Sequence, residues 1–494
     1  MSLLSISGKN FECYFRKKTY NLRNILNFVK SSDIILHGPL LQNKQKSTRV
    51  MGLPQIFKDM IKTSYEKREK LSHALLIFST FFLYITLTGA KNLYVAEKTT
   101  LTGFFSELEN PLTAIASTME YYFYAYAAMQ ILIVFIMKKI NLKWFLSLTI
   151  GASAVTTVLI GLTNTITEHY VIHIINGILQ AGVWGCSIKT LGVFLPQRLL
   201  PLANTLMTAG PAVAGIISYG TAAAFGDNWR LPFIVLGIVV MAAVILFFVA
   251  VTAVAKFPRK IETHTVTHSD GTTEEVDNEE ENDFIHLDSK KRVIVFYIVS
   301  VFMGLLVTAL FFMLNNNLDI FLKEIGGFSN STAKLLTILA PISIVIGPVL
   351  SVKFCEKHRN FITVAFVFFF AAFIFAIALL LFFNANIMLS LVLTVFFLIL
   401  TNGGRSVSLS IAALRMRSKI DTGVYSTLVN AAASLSSGIA PKLLSIILDN
   451  SEYSTVKSWS VSFSVIAALS AAVVISLLLI NLWIYLINRK KASV

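Results

Sequence analysis

Charge is what this sequence has least of. Asp, Glu, Lys and Arg together make up only 14% of its 494 residues, against about a quarter in an average soluble chain. The shortage is concentrated in long uncharged runs, which excludes a pair of ordinary soluble domains and leaves a polytopic membrane protein. Cysteine is scarce too. Cys13, Cys186 and Cys355 are scattered, with no Cys-x-x-Cys or Cys/His spacing, so neither a disulfide framework nor a structural zinc site is implied. There is no P-loop, Gly-x-Ser-x-Gly, His-Glu-x-x-His or carboxylate pair, and neither an enzyme nor a cofactor is expected.

What is present is apolar length. Twelve stretches of about 20 apolar residues fit helices that cross a bilayer: 72–97, 112–137, 143–164, 169–194, 200–225, 231–256, 292–314, 330–353, 361–384, 387–414, 422–448 and 458–488. The predicted fold is an all-α polytopic membrane protein of 12 transmembrane helices in two six-helix halves. Its divisions are a basic N-terminal region (1–70), a first half (71–256), an acidic linker (257–291), a second half (292–488) and a short tail (489–494). The first seventy residues contain no cleavable signal, because the run Ser2 to Ile6 is too short for one. Met51 opens a stretch that would itself serve as an amphipathic start, so residues 1–50 read either as an extension or as sequence ahead of the true start.

The net charge of +15 does not point to nucleic acid. Lys138, Lys139, Arg198, Arg259, Lys290 to Arg292, Lys357, Arg415 and Arg489 fall in loops on one side. The other side carries "EKTT", "TNTITEHY", "GDNWR", "NAN" and "DNSEYSTVKS". The positive-inside rule therefore puts both termini and the linker in the cytoplasm of a cell-membrane protein. Between Lys260 and Lys290 the linker holds ten Asp and Glu residues and no Lys or Arg, with His264, His268 and His286 interspersed. A solvated, disordered connection is the better reading, ahead of a metal-binding or regulatory loop.

Six plus six spans around a cytoplasmic linker is the layout of the major facilitator class of transporters. Local motifs add to the resemblance: "GDNWRLPFIVLGIVV" (226–240), "FLPQRLLPLANTLMTAG" (194–210), "RSKIDTGVYSTLVNAAASLSSGIAP" (417–441) and "GPVLSVKFCEKHRN" (347–360). Within the class, the chain resembles the organophosphate:phosphate antiporters and anion:cation symporters. Lys91 and Asn92 match the end of that group's first helix, and Tyr126 matches a tyrosine of its second. Trp184, Lys189 and Thr190 match a Trp-x4-[Arg/Lys]-Thr pattern on its fourth helix. The group's second phosphate-binding arginine is Phe311 here, and the arginine beside Lys91 is Ala90. The resemblance implies the fold, a central cavity and alternating access, but not a phosphate-ester substrate.

Charges inside the spans supply the candidate site. A cation at membrane depth is unfavourable by a few kcal/mol or more. Lys91 lies about twenty residues up the first span, roughly 30 Å, and either snorkels to the interface or faces a cavity. Lys189, some nine residues above Arg198, is roughly 13 Å from the boundary, and Arg405 lies at a corresponding depth on the tenth span. The substrate-binding candidates are Lys91, Tyr126, Lys189 and Arg405; structural pairing, to Glu120 for example, is the competing explanation. Glu120 is the only acid well inside the first half and is the proton-coupling candidate, or else a fixed partner of Lys91 or Lys189. Lys442 reads as a snorkelling residue. Asn315, Asn316 and Asn317 either meet a substrate or end a helix, and the tyrosines at 121, 122, 124 and 126 either line a cavity or form an interfacial belt.

The expected function is secondary transport of a small, anionic organic metabolite by a monomer, with a proton or counter-anion as possible coupling partner. The alternative is a proton-coupled drug or metabolite exporter. It rests on "AGPAVAG" (209–215), which resembles an antiporter signature with Ala214 in place of one glycine. A receptor in the same fold would need an added soluble signalling domain.

Overall fold

The computed structural model describes residues 55–136, 139–257, 266–267, 273–274, 290–358, 360–412 and 422–492. Residues 1–64 and 65–494 form two units. Of the first, only the start of one helix is described; the packed cores and the cavity belong wholly to the second.

In hydrocarbon every backbone N–H and C=O must be satisfied within the segment, so apolar runs become helices. Eleven helices among the described residues are long and apolar enough to cross a membrane. In chain order the spans are: 1, Gln55–Ala96; 3, Leu142–Ile160; 4, Ile166–Gln180 continued by Val183–Phe194; 5, Leu200–Phe225; 6, Arg230–Val254. The second half holds 7, Lys290–Asn315 followed by the short Leu318–Glu324; 8, Asn330–Thr337 continued by Leu339–Lys357; 9, Phe361–Phe382; 10, Ile387–Ser406; 11, Thr422–Leu448; and 12, Thr455–Ala492. Span 2, Pro111–Ile136, has 26 residues, roughly 39 Å of helix. Glu120, Gln130 and four tyrosines sit in it. Its neighbours are spans 4 and 11.

Helix starts follow their capping residues. Asn141, Asn360 and Asn386 accept backbone N–H groups at the heads of spans 3, 9 and 10. Thr165 and Glu168 form a reciprocal capping box at the head of span 4. Span 4 is not the continuous helix expected from its hydropathy. It breaks at Ala181–Gly182, where a Cβ on Gly182 would come within 2.8 Å of Ile133. Span 10 passes into a π-turn, Val407–Ile411, immediately after Arg405. Such bulges are frequent at functional sites.

Two separate cores organise the described helices. One runs from Leu76 to Val254, and the other gathers residues from Phe296 to Ile484 together with Leu112. The halves meet where small residues let helices touch. A Cβ on Gly215 of span 5 would stand 2.5 Å from Pro341 of span 8, and one on Gly438 of span 11 would stand 2.8 Å from Glu120 Cα. Gly403 and Gly404 likewise serve helix packing, against Phe368 and Phe369 of span 9. Arg230 of the "GDNWR" turn has a structural task. It donates to Thr163 O (2.7 Å), Gly161 O (3.2 Å) and Asn164 Oδ1 (2.8 Å), tying span 6 to the end of span 3.

Between residues 258 and 289 the acidic linker is described only at Val266–Thr267 and Thr273–Glu274, a two-residue antiparallel pair. His264, His268 and His286 lie outside the described residues.

Candidate functional site: a cationic cavity between the halves

A cavity of ≈ 230 Å³ lies between the two sets of spans. Spans 1, 2, 4 and 5 form one wall, spans 7, 8, 10 and 11 the other. Three of the expected site residues line it: Lys91, Tyr126 and Arg405. Lys189 does not. It sits on the second piece of span 4, five positions past Trp184, which does line the cavity. Five residues is about 140° around a helix from that face.

Arg405 donates from Nη1 to Asn402 Oδ1 (2.9 Å). Its guanidinium carbon stands 5.6 Å and 5.4 Å from the ring centroids of Phe311 and Phe312. The missing arginine at position 311 is thus faced by a guanidinium brought in from span 10. The ammonium of Lys91 stands 5.6 Å from the Phe123 ring centroid. Both are cation–π distances. Among the described residues, no Asp or Glu lines the cavity.

Glu120 is not a partner for either cation. Its Oε2 accepts from Lys442 Nζ at 2.6 Å, and its Oε1 accepts from Tyr124 Oη at 2.6 Å. Lys442 therefore does more than snorkel: it forms an ion pair across the two halves, with side-chain exposures of 27% for the lysine and 8% for the acid. The tyrosines of span 2 divide by helical face. Tyr122 and Tyr126 line the cavity, while Tyr121 and Tyr124 are exposed. Tyr122 is held in a polar chain: its Oη donates to Gln180 Oε1 (2.9 Å), and Gln180 Nε2 donates to Ser153 Oγ (2.8 Å). Asn315 and Asn316 line the cavity, whereas Asn317 Oδ1 accepts from Lys98.

Sequence reasoning missed how the halves are sealed at one end. "EKTT" (97–100) was placed only among the segments opposite the basic loops, yet Glu97 and Lys98 are buried. Lys334 Nζ donates to Glu97 Oε2 (2.6 Å), Thr100 Oγ1 (2.8 Å) and Gly226 O (3.2 Å), and both members of the ion pair are 0% exposed. Lys98 Nζ donates to Asn317 Oδ1 (2.6 Å) and Ser445 Oγ (2.8 Å). Asp319 is fully buried beside them. Thr113 N donates to Asp449 Oδ2 (2.6 Å), and Asn330 Nδ2 to Asp227 Oδ1 (2.9 Å). Each of these bonds joins the first half to the second. The available signal was weak, since Lys334 lies close behind the polar run 326–332.

A helical bundle of two cored halves with a polar cavity between them defines a membrane transport protein. Residues 74–441 match the Major Facilitator Superfamily, and the chain belongs to that family. No curated protein sequence matches it. Among solved structures it is similar to a bacterial homolog of the human lysosomal transporter Spinster, inward-facing and unoccupied. The identity is 13%, over 85% of this chain and 97% of that one, with a TM-score of 0.58. It is also similar to the nucleoside transporter NupG, at 13% identity over 82% of this chain and 98% of that one, TM-score 0.57. At such identities the likeness concerns the fold.

Proposed function

We propose that this protein carries a small organic anion across the membrane, binding it between Lys91 of span 1 and Arg405 of span 10. One observation carries the reading: the described residues that line the cavity include two cations and no carboxylate. A half-buried charge with no counter-charge beside it is unfavourable, and the two cations line one cavity. An anion bound between them offsets that cost and gains charge-assisted hydrogen bonds. Tyr126 would contribute its ring to the same site. Lys189 makes no contact with a ligand bound there in this conformation.

The basic loops support a cytoplasmic placement of both termini. In that orientation the sealed end faces outward and the conformation is inward-facing, as in the Spinster homolog. Alternating access then requires the Glu97–Lys334 contact to break while a contact at the opposite end forms. Glu120 is the proposed coupling site. Its pair with Lys442 joins spans 2 and 11, so a proton on the carboxylate would cancel the attraction between the halves there.

Counterflow in proteoliposomes tests the substrate class, using sugar phosphates, mono- and dicarboxylates, amino acids, nucleosides and cationic dyes. Exchange of organic anions alone is the expected result. Exchange of dyes or nucleosides without anions would reject the anion reading and favour an exporter or a nucleoside carrier.

A further inference from the structure

The two walls of the cavity differ in kind. The first half contributes most of the aromatic surface, including Tyr84, Tyr126 and Trp184, along with Thr88, Asn92 and Gln180; the second half is lined chiefly by amides and hydroxyls such as Asn315, Asn430 and Ser434. The one lining aromatic of the second half, Phe312, already has the Arg405 guanidinium against it. Phe123 has Lys91 over it. The rings left for a ligand therefore lie on one side.

These rings are held in place. Tyr84 and Trp184 stand 5.3 Å apart at an interplanar angle of 55°. A Cβ at position 210 would come within 2.7 Å of the Tyr84 ring, so Gly210 of the "AGPAVAG" stretch makes room for it. Tyr126 stacks on Tyr122 at 5.7 Å and 24°, and Tyr122 is anchored through Gln180. A wall of fixed aromatic faces distinguishes a flat π-system from a puckered or flexible chain, because offset and edge-to-face contacts need a planar partner.

We infer that the substrate's charge is carried on a planar aromatic or heteroaromatic ring. The ring lies against Tyr84, Tyr126 and Trp184. Its anionic group meets Lys91 and Arg405, and polar ring substituents meet Asn315, Asn430 and Ser434. The volume suits this size: about 150 Å³ of apolar cavity holds a benzene ring, and ≈ 230 Å³ leaves room for one carboxylate and a substituent. The inference rests on the anion reading above and narrows it.

The test uses the purified full-length protein in lipid nanodiscs and calorimetric titration with four probes. These are para-hydroxybenzoate, its saturated counterpart 4-hydroxycyclohexanecarboxylate, the neutral para-hydroxybenzamide, and open-chain adipate. The planar anion is expected to bind roughly three- to tenfold more tightly than the saturated one, the range that aromatic contacts supply. Trp184→Leu should weaken the planar anion more than the saturated one and so remove that preference, and Trp184→Phe should retain it. Equal binding of planar and saturated anions overturns the ring inference and leaves the anion reading standing. So does millimolar adipate binding where para-hydroxybenzoate fails. Equal binding of the benzamide and the benzoate overturns the anion reading, and with it this inference. Failure of all four probes to bind overturns both.

Discussion

Cations stand in two regions of this molecule, fully buried in one and half-buried in the other, and the regions treat them differently. At the sealed end, Lys98 and Lys334 share a buried cluster with Glu97 and Asp319, two bases to two acids. In the cavity, Lys91 and Arg405 meet rings and an amide but no acid. The first region is balanced without a ligand; the second is not. A cation at membrane depth thus says little about function until its counter-charge has been found. Arg405 stands out in the sequence and Lys334, close behind the polar run 326–332, does not. Lys334 joins the halves, and Arg405 leaves a charge for something else to meet.

The largest effect is expected where the charges are paired. Lys334→Met leaves the Glu97 carboxylate buried without its partner, which should destabilise the sealed conformation by about 3–5 kcal/mol. Thermal unfolding of the purified variant measures this. Adding Glu97→Gln should recover much of the loss, because no charge is then left unpaired. A loss below about 1 kcal/mol would mean that water already solvates the cluster and that the contrast with the cavity is false.

In the cavity the order of effects reverses. Arg405→Gln should weaken anion binding by about 1.5–3 kcal/mol, roughly ten- to a hundred-fold in affinity, with little loss of stability because no carboxylate is orphaned. Arg405→Lys should recover only part of the affinity, since a planar two-point contact becomes a single point charge. Lys189→Gln, away from the cavity wall, should alter affinity by less than about 0.5 kcal/mol. An equal loss at position 189 would show that the binding site extends further down span 4.

The Glu120–Lys442 pair is intermediate, since water reaches the lysine. Glu120→Gln should cost about 1 kcal/mol or less in stability. It should slow proton-driven accumulation while sparing substrate-for-substrate exchange, which needs no net proton release. Full proton-driven accumulation by the variant would make the pair purely structural.

The smallest effect is expected in the linker. Shortening residues 263–287, while keeping enough length to join the halves, should leave substrate affinity unchanged, because a one-sign polar segment has nothing to pack. Lost transport at normal surface expression would mean that the linker does more than connect.

The fold was legible because long apolar runs and basic loops are local signals. Lys91 and Arg405 were legible for a related reason, being cations in runs that otherwise exclude charge. Partners were not. Glu97 and Lys334 are 237 residues apart, and Glu120 and Lys442 are 322 apart; one chain read alone contains no trace of such pairings. Nothing local to "EKTT" distinguishes it from the other segments on its side; the partners that bury it, Lys334 and Asn317, come from the second half. The break at Ala181–Gly182 was hidden for a different reason. Its residues are as apolar as their neighbours, and the approach of Ile133 and Phe145 distinguishes Gly182. Among the tyrosines of span 2, helical spacing alone gives two faces, but not which face meets the cavity.

One measurement bears most directly on the cavity cations: the stability and the anion affinity of the purified Lys91→Gln, Arg405→Gln double variant, set against the unmodified protein. If the two side chains wait for an anionic substrate, the unliganded variant should unfold at the same temperature or higher. Its affinity for the anion identified by counterflow should fall, by no more than the sum of the two single losses, because both residues hold one ligand. A variant that loses stability while binding the anion with unchanged affinity would contradict this, and would make Lys91 and Arg405 structural residues like Lys334.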